Sequence, residues 1–343
     1  MTSPPRVSRR LALGLLGAAA IVPASAAVPT RNVDAGLLDR AAARAHGLDQ
    51  LHALVVHVDG REVMAERFRG APLSRPINVK SVSKTILATV TGAAIDHGIL
   101  DGAEQPVAPF LRASFPRQPD PRLERLTVDH LLTMRAGLGR TSGANYGRWV
   151  SSPDWVRAAL AEPFVDEPGG RMLYSTGSYH LLSAVLTRAS GRSTLQLTRG
   201  LLGEPLGIEI PPWVRDPQGI YLGGNDMALT PHALVRIGEM HRQGGVFGGR
   251  RVLSEAWIDA AWRPRTASPF SGDSYGYGWF VRTLAGQQTF YGRGFGGQML
   301  YVVPAAGLTV AIVSDPTRPA RSQGYVGDLH RLMATDLIPA ATA

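Results

Sequence analysis

The sequence predicts a mixed α/β fold of the α+β type. Strands from both ends of the chain form one antiparallel sheet, and a large helical insertion forms the other wall of a cleft. Three observations lead there. Apolar residues alternate near the N-terminus, in LHALVVHVDGREVMAERF. Short aromatic or β-branched runs crowd the C-terminal part: YGYGWFVRTL, QQTFYGRG, GQMLYVVP and GLTVAIVS. Between them, residues 79–265 carry helical spacing, as in TVDHLLTM, YHLLSAVLTRAS and ALVRIGEMHRQG, broken by Gly- and Pro-rich loops. Strands at both ends with helices between them imply a sheet closed by the two termini.

The elements follow in order. Residues 1–26 read as a secretory signal: the basic MTSPPRVSRR, the apolar LALGLLGAAAIV, and a small-residue site ending at Ala24 and Ala26. The apolar run is too short for a membrane helix, so an exported product, periplasmic or secreted, with no stable membrane anchor is expected. Arg9 and Arg10 leave both the general and the twin-arginine routes open. Residues 27–343 then form one domain, with its sheet from about 33–78 and 266–343 and its helical region from about 79–265. DAGLLDRAAARAHGL opens it as a helix packed by Leu37, Leu38 and Ala42, and Asp59-Gly60 marks a hairpin turn. QGYVGDLHRLMATDLI closes the chain as a helix.

Composition removes several function classes. The net charge is +9, but the arginines are scattered and no nucleic-acid motif accompanies them, so no nucleic-acid partner is expected. There are no cysteines, which rules out disulfides and thiolate chemistry. The nine histidines show no metal-ligand spacing, and no metal or cofactor is expected.

Among 36 lysines and arginines only two are lysines, Lys80 and Lys84, both in INVKSVSKTILATVTGAAIDHGIL. Ser81 and Lys84 are three apart at the start of an apolar helix, so hydroxyl and amine share one face. Serine is a weak nucleophile until a base takes its proton. Lysine can be that base where arginine cannot, because a guanidinium is never deprotonated in a protein. Bringing a lysine from a pKa of about 10.4 to near 7 requires roughly 4 to 5 kcal/mol of burial and charge effects. Lys80 precedes the helix and reads as an ordinary solvated side chain or a supporting cation.

INVKSVSKTILATVTGAAIDHGILD, LTVDHLLTMRAGL, PGGRMLYSTGSYHLLSAVL, GGNDMALTPHALVRIGEM, YGYGWF and GFGGQMLYVVP together resemble the penicillin-recognising serine hydrolases across the mature chain. The similarity is to the branch holding class C β-lactamases, serine esterases and 6-aminohexanoate-dimer hydrolase. It implies Ser81 as nucleophile, Lys84 as its base and Tyr174 as a proton relay. Thr176 falls where the family has an asparagine. The family's cation-x-Gly element matches Gly292-Arg293-Gly294, with glycine in the cation's place. The resemblance further implies an oxyanion hole from the backbone N–H groups of Ser81 and Phe295, with Thr176 and Gly294 contacting substrate. Arg293 is the candidate to supply the missing charge from the neighbouring position, against strand alternation that would send it to the other face, and Trp279 is a candidate substrate contact in the pocket lining. Trp279 and Tyr277 also read as sheet packing, Tyr146 and Trp213 as cleft-wall loop residues, and His130 and His180 as satisfied polar groups.

These readings give a serine hydrolase acting on a small-molecule ester or amide substrate through an acyl-enzyme on Ser81. The lost cation weakens recognition of a substrate carboxylate and argues against a dedicated β-lactamase, while Thr176 in place of asparagine alters substrate orientation. A β-lactamase, or a weak or inactive module binding cell-wall peptide, is the alternative. GDSYG, residues 272–276, fits the nucleophile elbow of another hydrolase class, but a strand follows it where that elbow needs a helix. GRGFGG, residues 292–297, fits a dinucleotide-binding pattern without its βαβ unit.

Overall fold

The computed structural model describes Met1 and residues 31–343; apart from Met1, the expected leader lies outside the described residues. Helix α1, Ala35–His46, begins where the Asp34 side chain accepts a hydrogen bond from the Leu37 amide at 3.0 Å. Its contact face is not the expected one. Ala41 and Ala45 are fully buried, while Leu37, Leu38 and Ala42 stay half-buried. Small residues at the contact let α1 approach the C-terminal helices closely, and Arg40 and Arg44 reach across to the buried Asp336 at 2.8 and 2.6 Å.

Strands β1, Leu51–Val58, and β2, Arg61–Arg67, form the expected hairpin. Asp59 and Gly60 take φ of 47° and 78°, the paired left-handed conformation that suits strand twist. Two short pairs follow: β3, Ile77–Asn78, with β4, Ala228–Leu229, and β5, Val246–Phe247, with β6, Arg250–Arg251. The C-terminal strands are β7, Thr266–Ala267; β8, Ser274–Tyr275; β9, Phe280–Leu284; β10, Gln287–Gly294; β11, Gln298–Val303; and β12, Leu308–Ser314. They join the hairpin in an eight-stranded sheet ordered β2-β1-β12-β11-β10-β9-β8-β7. Antiparallel pairing of β1 with β12, Val55 opposite Ala311, closes N-terminal on C-terminal strands as the sequence predicts. The two-residue strands β4, β5 and β6 lie inside the region expected to be helical, and β7 and β8 fall within the expected sheet bounds; all five are too short to alternate.

The sheet is covered on both faces. Tyr291 and Tyr301 turn their rings to His330, in the C-terminal helix Tyr325–Leu332. Their neighbours face the other way, where helix α2, Val82–Asp96, packs on β10 and the helix Pro231–Arg242 packs on β12, β11 and β1. Every residue of α2 from Val82 to Ala94 is buried, so this helix is wedged between the sheet and the inserted helices. Its N-terminus points at the cleft. Among the described residues, no helix is long and apolar enough to cross a membrane.

Candidate active site

Ser81 is the N-cap of α2 and its side chain makes no capping bond, which leaves Oγ for other partners. One turn on, Lys84 is 2% exposed. Its Nζ lies 3.1 Å from Ser81 Oγ, and it donates to the Gly224 carbonyl at 2.7 Å and to Thr176 Oγ1 at 3.4 Å. Burial pulls the Lys84 pKa below its ordinary value, against smaller opposing effects from the Tyr174 phenol and the Asp226 carboxylate. The Tyr174 ring centroid lies 4.9 Å from this amine, and its outer edge meets Phe270.

Thr176 opens the helix Thr176–Ser190, whose first amides are capped from a distant loop. The Thr176 amide donates to Ser142 Oγ at 2.8 Å, and the Gly177 amide to Thr141 Oγ1 at 2.7 Å. Ser142 Oγ also lies 2.9 Å from Thr176 Oγ1, so two hydroxyls share the place of one amide side chain. Sequence reading missed Ser142 and Asn225, which line the cleft. Ser142 carries no local signal, and Asn225 in GGND reads as a loop. Gly224 leaves no room for a side chain beside the amine: a Cβ would sit 2.9 Å from that of Tyr179 and 3.2 Å from Lys84 Nζ.

The third wall is the end of β10. A Cβ on Gly294 would lie 2.4 Å from the Val79 carbonyl, so glycine lets the strand end reach the Ser81 turn. The amides of Ser81 and Phe295 have no acceptor among the described residues, and both residues line the cleft. Gly292, in the cation's place, faces α2: a Cβ there would be 2.5 Å from Thr85 Oγ1. Arg293 turns away from α2, donating to Ser322 Oγ at 2.8 Å and the Ala320 carbonyl at 3.0 Å, and also lines the cleft.

Three expectations need correction. Trp279 is fully buried and packs on His241 and Trp262, with ring centroids 4.8 and 6.3 Å away. It contacts no substrate space; its neighbour Phe280 lines the cleft instead, since successive residues of an extended chain face opposite ways. Lys80 is not a freely solvated side chain. It is a cleft-lining residue whose Nζ lies 3.8 Å from Asp226 Oδ1. Tyr277 is also core, donating its hydroxyl to Asp129 at 2.8 Å, and Trp213, expected in the cleft wall, instead packs tilted against Tyr221 with ring centroids 4.6 Å apart and does not line the cleft. Tyr146 does line it. His180 is buried against Asp216 at 3.0 Å, and His130 completes a helix cap.

The resulting cleft holds about 510 Å³, between Ser142, Tyr146 and Tyr174 on the helical side and Phe280, Arg293 and Phe295 on the sheet side. A family model described as Beta-lactamase matches residues 38–334.

The chain belongs to the beta-lactamase family.

Within this family it is 27% identical over 220 residues to 6-aminohexanoate-dimer hydrolase of Paenarthrobacter ureafaciens, covering 59% of this chain and 54% of that protein. It is 28% identical over 161 residues to esterase EstB of Burkholderia gladioli, covering 42% and 41% respectively. The chain thus spans about half, or less, of the length of these relatives. In fold it is similar to a penicillin-binding protein homologue from Caulobacter crescentus, with a TM-score of 0.72 and 18% identity over 91% of this chain and 100% of the other.

Proposed function

We propose that this beta-lactamase-family chain is a serine hydrolase that cleaves an ester or a linear amide through an acyl-enzyme on Ser81. The observation that carries the reading is the buried Lys84 amine in contact with the Ser81 hydroxyl at 3.1 Å. A neutral amine keeps two donors for Gly224 and Thr176 and leaves its lone pair for the Ser81 proton. Ser81 Oγ then attacks the substrate carbonyl as Lys84 takes that proton. The free amides of Ser81 and Phe295 receive the oxyanion, each contributing on the order of 3 kcal/mol to the transition state. Tyr174, beside the amine, passes the proton to the leaving group and later helps water attack the acyl-enzyme.

Gly292 and Thr176 favour esters and linear amides over β-lactams, because the strand carries no cation facing α2 to hold a β-lactam carboxylate. The names of the two relatives, an esterase and an amide-dimer hydrolase, point the same way. The leader over residues 1–26 supports an exported product. A fluorophosphonate probe should label the protein and fail to label Ser81→Ala; equal labelling of both refutes the nucleophile. Turnover of p-nitrophenyl esters, D-amino acid amides, aminohexanoate dimer and nitrocefin then ranks the substrate classes, with nitrocefin expected last.

A further inference from the structure

Lys80 and Asp226 both hold positive φ, 51° and 65°, a conformation that non-glycine residues adopt at a cost. Both are fixed by the same few groups. Asn78 Oδ1 accepts from the Lys80 amide at 2.8 Å, and Asn78 Nδ2 donates to Asp226 Oδ1 at 2.7 Å. The Val79 amide donates to the Met227 carbonyl at 2.9 Å, and the Met227 amide to Ser83 Oγ at 3.1 Å. The loop carrying Asp226 is thereby clamped to the turn that presents Ser81. Since Asn78 holds the Lys80 backbone, the ammonium is not needed for that conformation. It is free to face Asp226 at 3.8 Å, with side chains 24% and 20% exposed.

The groups around Lys84 are few. Ser81 comes from its own helix, Thr176 and the Tyr179 ring from the helix Thr176–Ser190, the Tyr174 ring from the segment before it, and the Gly224 carbonyl with Asp226 from the loop before β4. Asp226 is the one carboxylate of this set, and uncompensated it would favour a charged Lys84.

We propose that Lys80 acts through Asp226 as an electrostatic positioning residue: its ammonium compensates that carboxylate, so that Lys84 stays neutral and able to accept the Ser81 proton. This rests on the reading of Lys84 as the base. It gives the second lysine of the chain a task tied to the first. Burial and the Asp226 field oppose each other at Lys84, which makes the balance sensitive to the compensating charge.

With only two lysines, protein labelled with 15Nζ-lysine gives two side-chain resonances, and Lys84 can be titrated directly. Lys80→Met should raise the Lys84 titration midpoint by roughly half a pH unit to one unit, as expected when a partly exposed compensating charge is removed. The acid limb of kcat/KM for a p-nitrophenyl ester should move up equally, lowering the rate below the limb by about 3- to 10-fold. Asp226→Asn should move both downward, and adding Lys80→Met to it should change little. Lys80→Arg should restore the wild-type midpoint. Circular dichroism melts check that each variant is folded. A uniform loss of kcat in Lys80→Met with an unmoved Lys84 titration means a merely structural role and overturns the proposal. A Lys84 titration that moves while the rate limb stays fixed upholds the coupling and overturns the base assignment instead.

Discussion

Gly292 offers the sharpest test of how packing decided this site. A Cβ added there would stand 2.5 Å from Thr85 Oγ1, 3.3 Å from Thr85 Cβ and 3.4 Å from Val82 Cγ1. Normal contact begins near 3.5 Å, so β10 and α2 would have to part by most of an ångström, or Thr85 would have to rotate. Rotation breaks the bond from Thr85 Oγ1 to the Gly278 carbonyl, 2.6 Å long and buried. Overpacking of this kind costs about 1 to 3 kcal/mol, and leaving the carbonyl unpaired costs a similar amount. Gly292→Ala should therefore lose about 2 kcal/mol in urea unfolding. In a Thr85→Ala background, where the clashing oxygen is gone, the added loss should fall below about 0.5 kcal/mol. Any turnover of a p-nitrophenyl ester should drop along with stability, because Thr85 adjoins Lys84 on the helix that would move. A Gly292→Ala protein as stable as wild type, or an equal loss in both backgrounds, would refute the reasoning. The same contact explains why a cation at 292 cannot simply be restored.

Lys84→Arg should lower kcat/KM for a p-nitrophenyl ester at least about 100-fold, because a guanidinium cannot accept the serine proton; near-normal turnover would exclude that step. Trp279→Ala should cost about 3 to 5 kcal/mol of stability while KM in the remaining folded enzyme stays near wild type, as measured by urea unfolding and steady-state kinetics. Burial holds His241 and His330 neutral in the fold, with pKa values lowered to about 4 and about 3 from 6.5. Below pH 6.5 the unfolded chain binds protons that the folded one refuses. Stability present above that pH is therefore lost on acidification toward the folded values, by roughly 3 to 4 kcal/mol for the pair between pH 7 and 5, measurable by urea unfolding at the two pH values.

Features set by local chemistry were legible in the sequence. The Asp59-Gly60 turn, the strands on either side of the inserted helices, and the shared helical face of Ser81 and Lys84 all depend on residues within a few positions of one another. The wider site was harder to read. Ser142 meets Thr176 through a contact between residues far apart in sequence, and nothing near Ser142 announces it. Trp279 sat in the right segment but on the wrong side of it, because a single step along an extended chain reverses the face.

The amino-acid sequence by itself determined the family, the sheet-and-insertion architecture and the choice of lysine over arginine beside Ser81, since periodicity and side-chain chemistry are carried residue by residue. The tertiary structure alone decided which groups surround the Lys84 amine, why Gly292 admits no cation, and that Lys80 faces Asp226. Those outcomes depend on the packing distance between elements and on which face each strand presents, and both are set only when sheet and helices close on each other.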